Sequence, residues 1–134
     1  MSRSQNEKTP REKAFDQTRA LLKERLAGSP QMADIAREYY KQVVTPIRDF
    51  LQEQDLDPNA SQLPGKVVPF LKEVQEKWKM YSTPLLNQPG AGVTQFLGFY
   101  RDMGLYLIPN QVSIFDQELW QMILSELPKD PESN

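Results

Sequence analysis

Residues 29–54 read SPQMADIAREYYKQVVTPIRDFLQEQ, and the way this stretch folds decides the rest. Met32, Ile35, Ala36, Tyr39, Val43, Ile47, Phe50 and Leu51 fall on one face of a 3.6-residue helix. Ser29 is placed to cap that helix and Pro30 to begin it. Pro46 interrupts the run. An interior proline removes one backbone hydrogen bond and crowds the turn before it. The apolar stripe nevertheless keeps its phase across Pro46, so one kinked helix to about residue 54 is expected. The alternative is a fresh start with Thr45 as its cap.

The same pattern repeats on either side. Thr9-Pro10-Arg11-Glu12 is a helix start: Thr9 caps, Pro10 suits the first position and Glu12 completes a capping box. Phe15, Thr18, Leu22 and Leu26 follow at helical spacing, and Gly28 is the natural stop. Asp55 to Gly65 reads as a loop. A third helix is expected over 66–82, with Val67, Phe70, Leu71, Val74, Trp78 and Tyr81 inward, provided Pro69 lies in its first turn. Thr83 to Gly92 reads as a second loop. A fourth helix takes Val93 to Met103 with Gly104 as its cap, and a short apolar connection leads to Pro109. Ser113 is placed to cap a fifth helix with Asp116 as its box acid, and Phe115, Leu119, Met122 and Ile123 as its core face. No segment alternates with period two. The expected fold is therefore all-α: an antiparallel four-helix bundle with an additional N-terminal helix. One domain over 9–127 is expected, with disordered tails at 1–8 and 128–134.

The composition narrows the chemistry. The chain has 134 residues, 39% apolar and 25% charged, with no cysteine and no histidine. Thiol nucleophiles, disulfides, imidazole bases and the usual zinc ligands are thereby removed. Net charge is −2. Ten Lys/Arg face eight Asp/Glu in residues 1–54, against two and six in 91–134. That gradient is too shallow to point to nucleic acid. No secretory signal is read at the N-terminus and no run is long enough to span a membrane. A cytoplasmic location is the default expectation.

Several partial motifs fail on inspection. Asp55, Asp57, Asn59 and Ser61 begin like a calcium loop, but Ala60 stands where glycine is needed and Lys66 where a bidentate glutamate is needed. Turn and cap roles account for these residues better. Gly90-Ala91-Gly92 is half of a dinucleotide fingerprint, with Gln95 in place of the third glycine and no strand before it. Gly65-Lys66 lacks the rest of a phosphate loop. Asn59-Ala60-Ser61 is a formal glycosylation sequon that has no meaning without secretion. Asp34 and Glu38 share a helix face, with Arg37 and Lys41 alongside, and read as a solvated charged surface. Asp116 and Glu118 lie on different faces. No catalytic residues, metal ligands or cofactor site are expected, and hence no enzyme.

Met80 to Phe115 is the unusual stretch: 36 residues with two charges, Arg101 and Asp102. Phe96 and Leu97 share phase with Val93 and Tyr100, whereas Phe99 and Tyr106 fall off it. The stretch reads either as a buried central helix with its flanking loops or as a neutral aromatic partner surface, since neutral surfaces with exposed aromatics are what protein interfaces favour. Phe96, Phe99, Tyr100, Tyr106 and Leu107 are therefore the candidate partner-binding surface.

Part of this stretch resembles a known family. Gly98, Tyr100, Gly104, Ile108 and Pro109 match without a gap the corner between the last two helices of the Psb27-type photosystem II assembly factors, which are small four-helix bundles. Glu38-Tyr39-Tyr40, with Ile47 and Leu51, looks like their first helix, and Val74, Trp78 and Tyr81 stand in for their second. The resemblance covers residues 38–127. The first 37 residues have no counterpart. Family members usually carry a lumenal targeting sequence, and cyanobacterial members a lipid-modified cysteine; neither is read here. The resemblance implies a non-catalytic assembly or repair factor that transiently binds a photosystem core subunit, a thylakoid association, and no catalytic residues. The rival expectation is a self-associating structural or adaptor protein, with the same surface meeting its own copy.

Overall fold

The computed structural model describes residues 8–60, 63–88 and 90–128. The tails expected at 1–8 and 128–134 lie outside the described residues, Lys8 and Pro128 excepted, as does Ser61 of the sequon. The described residues are helical and contain no strand, so the fold is all-α.

Helix α1 spans Pro10–Gly28. The capping box is present: Thr9 Oγ1 accepts from the Glu12 amide, and the Glu12 carboxylate accepts from the Thr9 amide at 2.9 Å. Ala14, Thr18, Leu21 and Leu22 face inward.

The stretch around Pro46 is a continuous helix in three parts. Helix α2 spans Met32–Tyr39, a π-helical turn spans Tyr40–Val44, and helix α3 spans Thr45–Glu53. The Thr45 amide reaches back five residues to the Tyr40 carbonyl. This wide turn explains how the stripe keeps its phase. Tyr39, Val43, Ile47 and Leu51 are spaced by four, which in a straight α-helix drifts by about 40° per step. The extra residue in the π turn takes up most of that drift. All four side chains stay buried. Ser29 and Pro30 form a turn ahead of α2 rather than its first helical turn; the Met32 amide donates to the Ser29 carbonyl at 3.1 Å.

A short 3₁₀ turn, Gly65–Val67, leads into helix α4, Val68–Leu85, with Pro69 in the first turn as expected. Helix α4 runs past the expected stop at Ser82 and through Pro84. The missing Pro84 amide falls in the last turn, where its absence costs one intrahelical bond to the Met80 carbonyl. Helix α5 spans Val93–Leu107 and helix α6 spans Gln117–Glu126.

Asp116, not Ser113, caps α6. Its Oδ1 accepts from the Leu119 amide at 3.0 Å, while Ser113 Oγ accepts from the Phe115 amide in the turn before it. The buried Asp116 carboxylate also takes two hydrogen bonds from Arg11 of α1, at 2.6 and 2.9 Å. Arg11 reaches Glu118 as well, and lies 4.7 Å above the Phe15 ring. Its pKa is raised, chiefly by the hydrogen bond to Asp116. A second ion pair joins Arg25 of α1 to Asp102 of α5. Through these contacts α1 packs on α5 and α6, while α2 packs on α5, and α4 on α3 and the π turn.

The centre is aromatic. Tyr39 lies within 5.1–5.8 Å, ring centre to ring centre, of Trp78, Phe96, Tyr100 and Trp120. Four helices thus meet on one residue of α2. Trp120, absent from the expected core face of α6, is fully buried and donates from Nε1 to the Ile114 carbonyl at 2.5 Å.

Candidate functional site

Helix α5 supplies the site. It starts at Gly92, whose φ of 83° is left-handed. A Cβ there would stand 2.6 Å from the Met32 amide nitrogen, so α5 begins where two backbones touch. Of the Gly90-Ala91-Gly92 pattern only Gly92 has this steric origin; a Cβ at Gly90 would meet nothing within 4 Å. The helix then passes the expected cap at Gly104 and ends only before Pro109. Gln111 takes the left-handed position (φ 58°), and the Val112 amide closes back on the Leu107 carbonyl at 3.0 Å. Asn110 Nδ2 donates to the Tyr106 carbonyl at 2.8 Å.

The observed inward stripe is Val93, Phe96, Phe99, Met103 and Leu107. It is turned by roughly a sixth of a revolution from the expected phase, at 100° per residue. The candidate surface is corrected accordingly. Phe96, Phe99 and Leu107 are 0–2% exposed and belong to the core. Tyr100 and Tyr106 are half-buried. The large apolar side chains here that do face solvent are Leu97, Leu105 and Ile108, at 41, 68 and 77% exposure. With Arg101 between them they form one row along the outside of α5. Sequence reasoning passed over Leu105 and Ile108 because it ended the helix too early. Their spacing of four, four and three from Leu97 through Arg101 was the available signal.

Beside this row lies a cavity of about 290 Å³. Tyr100, Gly104, Leu107 and Ile108 of α5 form one wall, and Val112 to Phe115 the other. Ala60 and Leu63, from the loop after α3, close one side. The lining is mainly apolar, and Tyr100 is its one titratable side chain among the described residues. The Tyr39 hydroxyl donates to the Tyr100 hydroxyl at 2.9 Å. Burial pushes the Tyr100 pKa up, and pushes that of Tyr39 well above the usual tyrosine value. Both are held in the neutral form by burial and share the hydrogen bond between them.

The other sequence candidates are used structurally. Asp57 Oδ1 accepts from the Asn59 amide, and Asn59 Oδ1 from the Gln117 amide at 3.0 Å. These oxygens form a turn and tie it to α6. Asp34 pairs with Arg37, and Glu38 accepts from Gln42. Among the described residues no group of three or more Asp or Glu is gathered to hold a metal ion. None of their helices is long and apolar enough to cross a membrane.

Comparison with protein-family models, with curated proteins and with solved structures finds no match to this chain.

Proposed function

We propose that this chain is a non-catalytic, protein-binding helical bundle. In this reading the continuous α2–α3 helix, α4, α5 and α6 form an antiparallel four-helix bundle, and α1 is a fifth helix fastened by Arg11 and Arg25. The observation that carries the function is the row Leu97, Leu105 and Ile108 beside an apolar cavity. Large apolar side chains kept in water next to a concave apolar surface mark interaction sites. The neutral state of Tyr100, the cavity's titratable group, favours binding over proton transfer.

An assembly or repair role at a photosystem core subunit, with thylakoid association, is the more specific form of this proposal. It rests on the resemblance described above. Tyr100, Gly104 and Ile108, three of its five corner residues, line the cavity. The test is capture with tagged protein from gently solubilised source cells, alongside Ile108→Asp. Recovery of photosystem core subunits that the variant loses supports the role. Recovery of those subunits unchanged by Ile108→Asp removes the surface from the proposal, and their absence from both captures removes the photosystem.

Self-association is the second reading. Leu97, Leu105 and Ile108 form one exposed apolar row on α5, which a second copy laid on it would cover with its own. Sedimentation equilibrium separates the readings. A mass of twice 15.5 kDa that falls to one chain in Leu105→Asp supports self-association; a single-chain mass at high concentration rejects it.

A further inference from the structure

Gly104 and two hydroxyls at the cavity call for a use that protein docking does not require. Gly104 lies inside α5, where glycine is less favourable than alanine. A Cβ added there would meet only Ile108 Cδ1, at 3.8 Å, which is ordinary contact. Gly92 is required by a left-handed angle and a backbone contact; Gly104 has neither constraint. What its bare Cα does is widen the cavity that it lines.

The polar groups point the same way. Tyr39 is the more deeply buried of the tyrosine pair and donates to Tyr100, which leaves the Tyr100 proton unspent. Ser113 Oγ accepts from the Phe115 amide at 3.0 Å, which leaves its own proton unspent. Among the described residues neither hydroxyl donates to a protein acceptor. Tyr100 and Ser113 are thus the hydroxyl-bearing side chains of a lining that holds no charged side chain among the described residues. A buried donor without an acceptor is unfavourable. Water would satisfy the hydroxyls but make no use of the apolar wall.

We propose that the cavity binds a small, neutral, largely apolar molecule with one hydrogen-bond acceptor, oriented by the Tyr100 and Ser113 hydroxyls. An apolar cavity of about 150 Å³ takes benzene. At about 290 Å³ this one suits a molecule of on the order of ten heavy atoms. The cavity shares Ile108 with the docking surface, but a small ligand in it requires no protein partner.

Coumarin, an uncharged bicyclic lactone with a carbonyl acceptor, is the probe. It is titrated into isotopically labelled protein while amide and methyl resonances are followed. Saturating shifts are expected at Leu107, Ile108, Val112 and Ile114. Gly104→Leu should weaken coumarin at least tenfold without lowering the melting temperature, and Gly104→Ala by a smaller factor in the same direction. Tyr100→Phe should weaken it several-fold. Shifts that do not saturate, or that fall elsewhere, overturn the proposal. So does unchanged affinity in Gly104→Leu or, if that variant does not fold, in Gly104→Ala. Tighter binding of N-acetyltryptophanamide than of coumarin, at the same resonances, would assign the cavity to a partner's side chain and overturn the small-molecule reading.

Discussion

Along α5 the inward residues Phe96, Phe99, Met103 and Leu107 are sealed, while Leu97, Leu105 and Ile108, just as apolar, stand in water. Composition does not separate the two sets. Their angular position does, and the neighbours fix it. Phe96 meets Tyr39 and Trp78, and Asp102 is drawn to Arg25 on α1. With α1 held on one side and α2 on another, the remaining arc of α5 is left exposed among the described residues. The exposed row is therefore a product of assembly, not of local sequence.

The sharpest way to break this comparison is to truncate one residue from each face. Phe99→Ala should cost about 3–5 kcal/mol, as for a buried aromatic, read from the urea midpoint at constant slope. A cost near that of a surface change would put Phe99 outside the core. A second probe uses the edge between the faces. Tyr39 and Tyr100 keep their protons beyond the ordinary value of 10.0 because burial disfavours the charged form. Their contribution to stability is whole below pH 10 and is lost as pH rises through the raised folded-state value. Absorbance at 295 nm should show this pair ionising later than free tyrosine and together with loss of the fold, with Tyr81 also late because burial and then Glu38 and Asp34 raise its pKa. Early ionisation of all five would contradict the buried pair.

Smaller effects sharpen the outer face. Gly104→Ala should raise stability by about 0.5–1 kcal/mol, since helix propensity improves and no atom is displaced. A loss would mean that the helix backbone is approached more closely there than 3.8 Å. Smallest is Leu105→Ser, within about 0.5 kcal/mol of the parent chain. That near-neutrality, set beside a lost partner in Ile108→Asp, would separate a binding residue from a packing residue on the same helix.

Much of the fold was legible where a residue type has one local use. The Thr9, Pro10 and Glu12 start, the Gly28 stop, Pro69 in a first turn and the unbroken phase through Pro46 all follow from backbone chemistry within a turn or two. The site was legible only as a region. From Val93 to Leu107 apolar residues occur all round the helix, and Arg101 and Asp102 are too few to set its phase. The end of α5 was misplaced because glycine is a common stop, whereas here Pro109 and the left-handed Gln111 end it. Asp116 as a cap was missed because Ser113 fits the same local pattern. Its partner, Arg11, is 105 residues away, beyond the reach of any periodicity.

That separation bears on how the chain is made. Helix α1 leaves the ribosome well before the helices it packs on, α5 and α6. At roughly 5–20 residues per second, Arg11 waits on the order of 5–20 s for Asp116 to be added. For most of that interval Ala14, Leu21 and Leu22 have none of their final neighbours from α5 and α6. The dense charge of α1 keeps the nascent helix in solution until the C-terminal end arrives to receive it. Vectorial synthesis thus makes the docking of α1 a late step, and the Arg11–Asp116 clasp its final register check.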